Sequence, residues 1–527
     1  MPHTILTDLK PRAYQQEIFN RCKEKNCLVV IPTGLGKTLI ALMLAIYTQK
    51  QHPATKTLFL APTRPLAQQH LDYFKKQLPE LFAQLTLFTG KTLPKKRKEL
   101  WESSDIIFST PQCIQNDLKK NLYDLQEVSL LIIDESHRCL KNYAYTYITQ
   151  VYKNNTTYNK VLGLTASPGT DKKTIEQIAK NLGIDSIELR TRESDDVKEY
   201  LKELEFTTIS LEFPKEFKEI RDTIKIIYNR KAQELKNRKL LFLPPTKTNL
   251  LKLQSTIMNQ IRTGSRNFNL FSGATAAAQA IKLSYLLELL ETQTLYTTAN
   301  YIKSLFAQAA ENKSKAVKQL IKNPDFNKAY TKINELIAQK KEHPKLLELQ
   351  TIIEQAIKEN KNNKTIVFSQ YRDTVAQIVQ RLNKIQGVKA KTFVGQAKKA
   401  ESGLSQKEQQ EIMQEFREGT INLIAATSIA EEGLDIPEVN SVIFYEPIPS
   451  AIRKIQRAGR TARLMKGKLI ILLTLDTLDE IFYYAAKSKE KKMYKSIESV
   501  KKDLDAGKIP KEESENNNQI KDQKTLF

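Results

Sequence analysis

The chain has 527 residues, with 83 lysines and arginines against 59 aspartates and glutamates, so its formal net charge is +24. This length is too great for one hydrophobic core and indicates about three domains. The charge favours a polyanionic partner, foremost a nucleic acid, although a generally lysine-rich composition would also produce it. The four cysteines show no C-x-x-C spacing, which argues against a disulfide framework. No apolar run approaches the roughly 20 residues that a membrane helix requires, which excludes a helical membrane span. Both observations indicate a cytoplasmic protein.

Residues 1–204 alternate short apolar runs with segments of helical character. Six runs have the length and composition of strands: Cys27–Ile31, Thr57–Leu60, Leu85–Phe88, Ile106–Ser109, Leu130–Ile133 and Val161–Leu164. Helix-like segments such as Thr38–Gln49 and Pro65–Gln77 separate them. Continuous apolar strands that alternate with helices are typical of a parallel sheet covered on both faces. The sequence therefore predicts an α/β domain here.

A glycine-rich turn follows the first predicted strand and precedes the first predicted helix. It reads Ile31-Pro32-Thr33-Gly34-Leu35-Gly36-Lys37-Thr38. Glycines in such a turn let backbone N–H groups surround phosphates at a helix N-terminus. Lys37 would neutralise the β- and γ-phosphates of ATP, and Thr38 would ligate Mg²⁺. The general pattern begins with glycine where this chain has Ile31, a departure that leaves the rest of the motif intact.

Two adjacent carboxylates end another predicted strand, Leu130–Ile133. Asp134 is placed to hold Mg²⁺, and Glu135 to act as general base on the attacking water. Two acids after a strand could otherwise be an ordinary helix N-cap. Their combination with the glycine-rich turn favours the catalytic interpretation.

Residues 205–350 differ from both flanking parts, because apolar side chains recur at helical spacing and strand-like runs nearly vanish. An example is the set Ile281, Leu283, Leu286, Leu287 and Leu290. The pattern predicts a helical domain inserted between two α/β domains. It carries the basic residues Lys225, Arg230, Lys231, Lys236, Arg238 and Lys239. Such a cluster is either a solvated helix face or a contact with nucleic acid.

The α/β pattern returns in residues 351–495. The predicted strands are Thr365–Phe368, Ala390–Phe393, Leu423–Ala426, Ser441–Tyr445 and Leu469–Leu473. Arg460 and Arg463 could stabilise charge on the departing γ-phosphoryl group, and Gln456 could orient the attacking water or contact the γ-phosphate. A basic helix face is the plain alternative for these arginines. Residues 496–527 are rich in charged and amide side chains and are predicted to be disordered.

Taken together, the motifs resemble those of superfamily 2 helicases. In the first domain they are Arg12-Ala13-Tyr14-Gln15, Thr33–Thr38, Ala61-Pro62-Thr63-Arg64, Thr110-Pro111-Gln112, Asp134–His137 and Thr165-Ala166-Ser167. In the second they are Ile366–Ser369, Phe393–Gln396, Ala426-Thr427-Ser428, Glu432–Asp435 and Gln456–Arg463. The chain is similar in particular to the helicase part of archaeal Hef and the Fanconi-anaemia complementation group M proteins. This narrower resemblance is carried by Phe393–Gln396, Gly403–Glu408, Tyr445–Ser450 and Lys487–Met493.

The resemblance implies two RecA-like parallel-sheet domains with a helical insertion domain between them, and ATP and Mg²⁺ as cofactors. The nucleotide-binding residues would be Arg12, Gln15, Thr33, Gly34, Gly36, Lys37, Thr38 and Asp435. Thr165 and Ser167 would couple the nucleotide state to the grip on nucleic acid. The strand would be held by Arg64, Thr110, Gln112, Ser369, Gln396 and Thr427. Contacts of this kind fall mostly on phosphate and sugar and do not read sequence, and each residue could instead be a cap or a turn.

Two features depart from that family. Ala462 stands where glycine is common, with little expected effect because a helix tolerates alanine well. No Glu-Arg-Lys nuclease motif follows residue 495, so the expectation is a separate nuclease partner or a truncated chain. The end, Gln523–Phe527, resembles the start of a sliding-clamp-binding peptide without its further aromatic residue, and a chance apolar end is the alternative.

The expected function is that of an ATP-dependent DNA helicase or translocase that remodels branched DNA such as forks and Holliday junctions. In a prokaryote such a protein would be associated with the nucleoid. One alternative is a duplex-RNA-stimulated ATPase like the helicase parts of Dicer and innate RNA sensors, against which the lack of a visible RNA-binding domain weighs. A passive DNA-binding scaffold is less favoured, because Lys37, Asp134, Glu135 and Arg460 are all present.

Overall fold

The protein is described from a computed structural model. The structure describes residues 10–200, 204–264, 267–395, 403–427, 437, 439–448, 450 and 467–508. Two parallel sheets are present, and a bundle of helices lies between them in the chain. The predicted fold class, two parallel-sheet domains with a helical insertion, is thereby confirmed.

The first sheet has seven parallel strands. They are β1 (Cys27–Val30), β2 (Lys56–Leu60), β3 (Leu85–Phe88), β4 (Ile106–Ser109), β5 (Val128–Ile133), β6 (Val161–Thr165) and β7 (Ser186–Leu189). Their order is β3-β4-β2-β5-β6-β1-β7. Six of them lie where the apolar runs predict strands. The seventh, β7, is missing from the prediction because its sequence Ser-Ile-Glu-Leu is not a continuous apolar run.

Helices cover both faces of this sheet. They are α1 (Ala13–Glu24), α2 (Lys37–Gln51), α3 (Arg64–Gln77), α4 (Pro94–Ser103), α5 (Pro111–Lys119), α6 (Ala144–Asn155), α7 (Lys172–Leu182) and α8 (Asp195–Lys198). Within β1, Leu28 and Val30 pack into one core cluster, whereas Cys27 and Val29 pack into another. Burial of both faces is the physical reason why the strands are apolar throughout.

The second sheet has six parallel strands. They are β8 (Leu204–Leu211), β9 (Thr365–Phe368), β10 (Ala390–Phe393), β11 (Leu423–Ala426), β12 (Ser441–Phe444) and β13 (Gly467–Thr474), in the order β10-β11-β9-β12-β13-β8. Strand β8 falls inside the range predicted to be a helical insertion. It pairs along its whole length with β13, from Leu204 opposite Gly467 to Leu211 opposite Thr474. Its half-exposed position at the sheet edge explains why it lacks the apolar run of a central strand.

The insertion is a helical bundle with its own core. Its helices are α9 (Lys215–Asn237), α10 (Lys247–Arg262), α11 (Phe268–Thr292), α12 (Leu295–Ala310), α13 (Lys315–Ile321) and α14 (Pro324–Ala338). The chain then continues into α15 (Pro344–Glu359), α16 (Arg372–Leu382) and α17 (Gln406–Glu418). Because Leu346, Leu349 and Ile353 of α15 pack into the core of the second sheet, this helix belongs to the second domain rather than to the insertion.

The last described helix, α18 (Leu478–Asp505), corrects the prediction of disorder for residues 496–505. Met493, Ile497 and Val500 are buried in the core of the first domain. Asp503 accepts a hydrogen bond of 2.6 Å from Lys172 of α7. The disorder prediction followed from the lysine-rich composition of this segment. The buried residues nevertheless recur at helical spacing, at i, i+4 and i+7. None of the helices in the described ranges is long and apolar enough to cross a membrane.

Candidate active site

Three of the predicted motifs meet at one edge of the first sheet. The glycine-rich turn follows β1, Asp134 and Glu135 follow β5, and Thr165 ends β6, which lies between those two strands. The strands are parallel, so their carboxyl ends share an edge, where ligands of open α/β sheets bind. The fold thus brings together groups that are more than a hundred residues apart in sequence.

The glycine-rich turn adopts a conformation that requires glycine. Gly34 and Gly36 have φ angles of +88° and +78°, in the left-handed region that L side chains rarely occupy. A Cβ atom on Gly36 would also lie 2.3 Å from Nε2 of Gln15. Helix α2 begins at Lys37, directly after Gly36, so its free N–H groups open onto the turn.

The polar side chains of the turn fit a phosphate ligand. The Lys37 Nζ donates a hydrogen bond of 3.1 Å to the carbonyl of Ile31, which holds the ammonium over the turn. The hydroxyl of Thr33 is buried without a hydrogen-bond partner. A buried hydroxyl without a partner is costly unless a ligand supplies one. This turn therefore suits the phosphates of a nucleotide.

Asp134 is buried and held by a histidine. An ionised carboxylate only accepts hydrogen bonds, so Nε2 of His70 donates to Oδ2 of Asp134 across 3.0 Å. Burial alone would raise the pKa of Asp134, but the hydrogen bond and charge interaction with His70 and the charge of Lys37 outweigh it and lower that pKa. Asp134 thus favours its ionised form, the form in which a carboxylate could bind Mg²⁺.

Glu135 is connected to the predicted coupling residues. It has a φ angle of +48°, which is uncommon for a residue with a side chain and stores strain. Its Oε2 lies 3.3 Å from Nδ1 of His137, and that nitrogen lies 3.2 Å from the hydroxyl of Thr165. The backbone N–H of Ser167 donates to Oγ1 of Thr165 over 3.1 Å. A polar chain therefore links Glu135 to the turn after β6.

Of the predicted nucleotide-binding residues Arg12 and Gln15, Gln15 binds the glycine-rich turn directly. Nε2 of Gln15 donates 3.1 Å to the carbonyl of Leu35, and its Oε1 accepts 2.9 Å from the backbone N–H of Arg12. The guanidinium of Arg12 lies over the ring of Tyr200, 5.2 Å from its centroid. Gln15 is thus held in place from both ends, and Tyr200 is a neighbour that no sequence motif indicates.

The predicted nucleic-acid contacts differ in accessibility. Gln112 is exposed, and Arg64 and Thr110 are half-buried at the starts of α3 and α5. Ser369 is fully buried, and its hydroxyl donates 3.3 Å to Oε1 of Gln293 in the insertion. Its position in the structure is that of a link between insertion and second domain rather than of a surface contact. Thr427 is also largely buried.

Several predicted residues lie outside the described part of the chain. They are Gln396, Asp435, Gln456, Arg460, Arg463 and the clamp-like end Gln523–Phe527. Their roles remain predictions.

Comparisons with known proteins agree with this geometry. Family models match residues 12–175 as DEAD/DEAH box helicase, 216–343 as the helical bundle of a provisionally named ATP-dependent RNA helicase, and 345–465 as helicase conserved C-terminal domain. The crystal structure of the Pyrococcus furiosus Hef helicase domain is similar with a TM-score of 0.70 and 40% identity, over 92% of this chain and 100% of that one. The chain belongs to the Hef-type superfamily 2 helicases.

Longer relatives are also similar to this helicase chain. A Methanocaldococcus jannaschii protein, provisionally named an ATP-dependent RNA helicase, is 37% identical over 93% of this chain and 61% of its own length. The ATP-dependent DNA helicase mph1 of Neurospora crassa is 33% identical over 88% of this chain and 41% of its own length. The chain therefore spans less than two thirds of the length of these curated relatives.

His70 is a residue near the predicted site that the motifs do not indicate, and Met493 ends the family-like segment Lys487–Met493 without having been predicted to contact that site. His70 lies on the buried face of α3 with Ala67, Leu71 and Phe74. A polar residue at a position where the helical pattern predicts an apolar one could have indicated a buried polar partner. Met493 accepts a hydrogen bond of 2.8 Å from the hydroxyl of Ser167. Since 326 residues separate these two partners, no local pattern could reveal their contact.

Proposed function

We propose that the chain hydrolyses ATP at the carboxyl edge of its first sheet and uses the free energy to move along and remodel DNA. The observation that carries this proposal is the pairing of a glycine-rich turn at the start of α2 with a buried, ionised Asp134. The charge of Lys37 reaches Asp134 and helps to lower its pKa, so both sit in one electrostatic site. A phosphate-binding turn with a carboxylate opposite it is the arrangement that phosphoryl transfer requires.

Each residue then has a physical role at this site. Lys37 offsets phosphate charge, and Thr38 and Asp134 would hold Mg²⁺, which supplies charge neutralisation at the phosphates when bound. Glu135 would accept a proton from the attacking water. Arg460, Arg463 and Gln456 would complete the site from the second domain.

Coupling to nucleic acid would pass through the turn after β6. Thr165 is hydrogen-bonded to Ser167 and to His137, whose Nδ1 lies 3.3 Å from Oε2 of Glu135, and the hydroxyl of Ser167 is hydrogen-bonded to Met493 of α18. A change at the nucleotide can therefore be transmitted to a helix that also contacts the second domain.

DNA is the favoured substrate, and branched DNA such as forks and four-way junctions its favoured form. The relative named mph1 is described as a DNA helicase, and the net charge of +24 suits a polyanion. A second candidate is an ATPase stimulated by duplex RNA, because one relative and the model that matches the insertion carry the name of an RNA helicase. A separate nuclease and a sliding clamp remain possible partners to be tested.

The test is ATP hydrolysis measured with single-stranded, duplex, forked and four-way DNA and with duplex RNA. Forked or four-way DNA is expected to stimulate hydrolysis most. The Glu135→Gln variant keeps the shape but not the basicity of the side chain. It should bind the same DNA, and its rate of ATP hydrolysis should fall on the order of 100-fold or more. If only duplex RNA stimulated ATP hydrolysis, the second candidate function would be supported instead. If no nucleic acid changed the rate of hydrolysis, both candidate functions would be refuted.

A further inference from the structure

The chain passes from the first sheet to the second beside the start of α1. It leaves the first sheet at the end of β7 and enters the second at β8. We call residues 190–200, the described part of this passage, the crossing segment. The segment contains the short helix α8 and ends at Tyr200, which lies against the predicted nucleotide-binding residue Arg12. A predicted ligand contact therefore adjoins the connection between the two domains.

The crossing segment is anchored to the first domain before it reaches Tyr200. Val197 is inaccessible to solvent and packs into the core cluster that α1 also joins. The guanidinium of Arg190 lies 2.9 Å from the carboxylate of Glu17 in α1 and 2.6 Å from that of Asp196 in α8. A guanidinium shared by two carboxylates orients the helices that carry them. Tyr200 is therefore presented to the start of α1 in a defined position.

The side chain of Tyr200 contacts three successive residues at the start of α1. Cζ of Arg12 lies 5.2 Å from the centre of the Tyr200 ring, within the range of a cation–π contact. The ring of Tyr14 meets that of Tyr200 edge-on, with centroids 5.8 Å apart and planes at 62°. The hydroxyl of Tyr200 accepts a hydrogen bond of 3.4 Å from the backbone N–H of Ala13. One tyrosine of the crossing segment thus packs against the whole entry to α1.

The start of α1 is in turn bonded to the glycine-rich turn. The hydroxyl of Tyr14 donates 2.8 Å to the carbonyl of Leu35, and Nε2 of Gln15 donates 3.1 Å to the same carbonyl. Nη1 of Arg12 donates 3.4 Å to the hydroxyl of Tyr14. Arg12 therefore belongs to one hydrogen-bonded unit with the turn, so a nucleotide held by the turn would lie beside this unit.

A guanidinium held against a ring is suited to receive a nucleobase. The guanidinium is planar, and bases stack on its face. An arginine side chain that is ordered only when a ligand binds loses conformational entropy at that moment, whereas a side chain already held in place loses less. Arg12 is half-buried, so part of its side chain stays accessible to a ligand. The ring of Tyr200 supplies the contact that orders it beforehand.

We propose that Tyr200 is a positioning residue for the base of ATP, and that its ring holds the guanidinium of Arg12 in place to stack on that base. This inference rests on the proposed function for the identity of the nucleotide. It adds a residue that lies outside every motif of the sequence. It also means that the base contact and the connection between the two sheets share one side chain.

The test is the affinity of the full chain, with Mg²⁺ present, for ATP and for tripolyphosphate, which has the phosphates but no base. Calorimetric titration measures both. Tyr200→Leu removes the ring and is expected to weaken ATP binding by about 5- to 20-fold, and tripolyphosphate binding by less than about twofold. Tyr200→Phe keeps the ring and should retain the ATP affinity. In hydrolysis, Tyr200→Leu should raise KM by a similar factor and change kcat much less.

A double variant shows whether Tyr200 acts through Arg12. Arg12→Ala should weaken ATP binding at least as much as Tyr200→Leu, and the two changes together should weaken it no more than Arg12→Ala alone. Tyr147→Leu is the matched control, because Tyr147 is another half-buried ring of the first domain with a cation over it, Nζ of Lys119 at 5.4 Å from the centroid. This control should change neither affinity.

Three results would overturn the proposal. They are an unchanged ATP affinity of Tyr200→Leu, an equal loss of ATP and tripolyphosphate binding, and a full additional loss in the double variant. The second would show a general disturbance of the fold, and the third a packing role that is independent of Arg12. If the wild type bound ATP through Tyr200 but no nucleic acid changed its rate of hydrolysis, the proposed function would be refuted and the role of Tyr200 would stand. A wild type that bound no ATP would refute both.

Discussion

The charge state of Asp134 is set by two residues outside its own motif. His70 donates to its carboxylate from α3, and Lys37 adds positive charge from the start of α2. A buried carboxylate without such partners would favour the neutral form. The donor from α3 therefore helps to keep Asp134 in the ionised form that its predicted role as a Mg²⁺ ligand requires.

Replacing His70 with alanine leaves a buried carboxylate short of a donor, so we expect the free energy of unfolding to fall by about 1–3 kcal/mol at neutral pH. The folded pKa of Asp134 lies below its ordinary value of 3.8. Its ionised form thus contributes stability above that value, and this contribution is lost as pH falls through the folded pKa. Without His70 the folded pKa of Asp134 rises and this contribution shrinks, so the difference in stability between wild type and His70→Ala should narrow as the pH falls toward the folded pKa of the wild type. Urea unfolding from pH 7 to pH 3 measures this.

The control for that experiment is His70→Gln, which keeps an N–H donor and should lose less stability. A difference between wild type and His70→Ala that stays the same at every pH would mean that the histidine contributes only packing.

Gly36→Ala tests the glycine-rich turn. The added Cβ would meet Gln15 and occupy a left-handed φ, so we expect nucleotide hydrolysis to fall on the order of 10- to 100-fold. Gly419→Ala is a matched control, because Gly419 has a φ of +81° but open space around its Cβ position. Both variants should lose about 1 kcal/mol of stability from backbone strain. Equal hydrolysis by the two variants would show that the contact with Gln15 is unimportant.

Local spacing was enough to predict Lys37, Asp134 and Glu135, because each follows or begins an element that the sequence marks clearly. It was insufficient for His70 and Tyr200, whose partners lie in distant segments. It also does not reveal that the hydroxyl of Ser369 is buried against Gln293 of another domain.

At the scale of elements, the lysine of one buried ion pair in the second domain also binds the insertion. Nζ of Lys345, in α15, donates 2.5 Å to Oδ2 of Asp479 in α18 and 2.7 Å to the carbonyl of Thr292 at the end of α11. Both charged side chains are inaccessible to solvent. Burial raises the pKa of Asp479 to about 6, and Lys345 opposes that rise.

Removing one partner of this pair should destabilise the protein strongly. We expect Lys345→Met to lower the free energy of unfolding by about 3–5 kcal/mol at pH 8, because Asp479 is left as an unpaired buried charge. A carboxyl whose folded pKa is raised stabilises the fold at low pH and loses that contribution as pH rises through the folded value. The loss in Lys345→Met should therefore be smaller at pH 5, where Asp479 can take up a proton. Denaturant unfolding at both pH values measures it.

The double variant Lys345→Met with Asp479→Leu is the matched control, because it removes both charges and keeps the side chains apolar. It should recover most of the lost stability. A double variant as unstable as Lys345→Met alone would contradict the ion-pair account.

The sequence predicts the central strands because burial on both faces makes them apolar without interruption. Strand β8 was not predicted, because it lies at the edge of the sheet and is not buried on both faces. Its only strand partner among the described residues is β13. The end of α18 was not predicted as a helix for a different reason. Its composition resembles a disordered tail, and only packing against the first domain shows that Ile497 and Val500 are core residues.

At the scale of the whole molecule, α18 is the element that connects both sheets. Its 28 residues begin at the Lys345–Asp479 pair in the second domain, and its later part packs into the core of the first, where Met493 contacts Ser167. A helix of that length spans about 40 Å. Any change in the separation of the two domains must therefore act on this helix, which touches the turn that follows β6.

The central claim is that ATP hydrolysis at the edge of the first sheet drives remodelling of DNA. The most direct measurement is release of a fluorescent strand from a forked DNA by the full chain, with ATP or without nucleotide, for wild type and Glu135→Gln. We predict release by the wild type only with ATP, and none by Glu135→Gln although it still binds the fork. Release without ATP, or equal release by Glu135→Gln, would contradict the account.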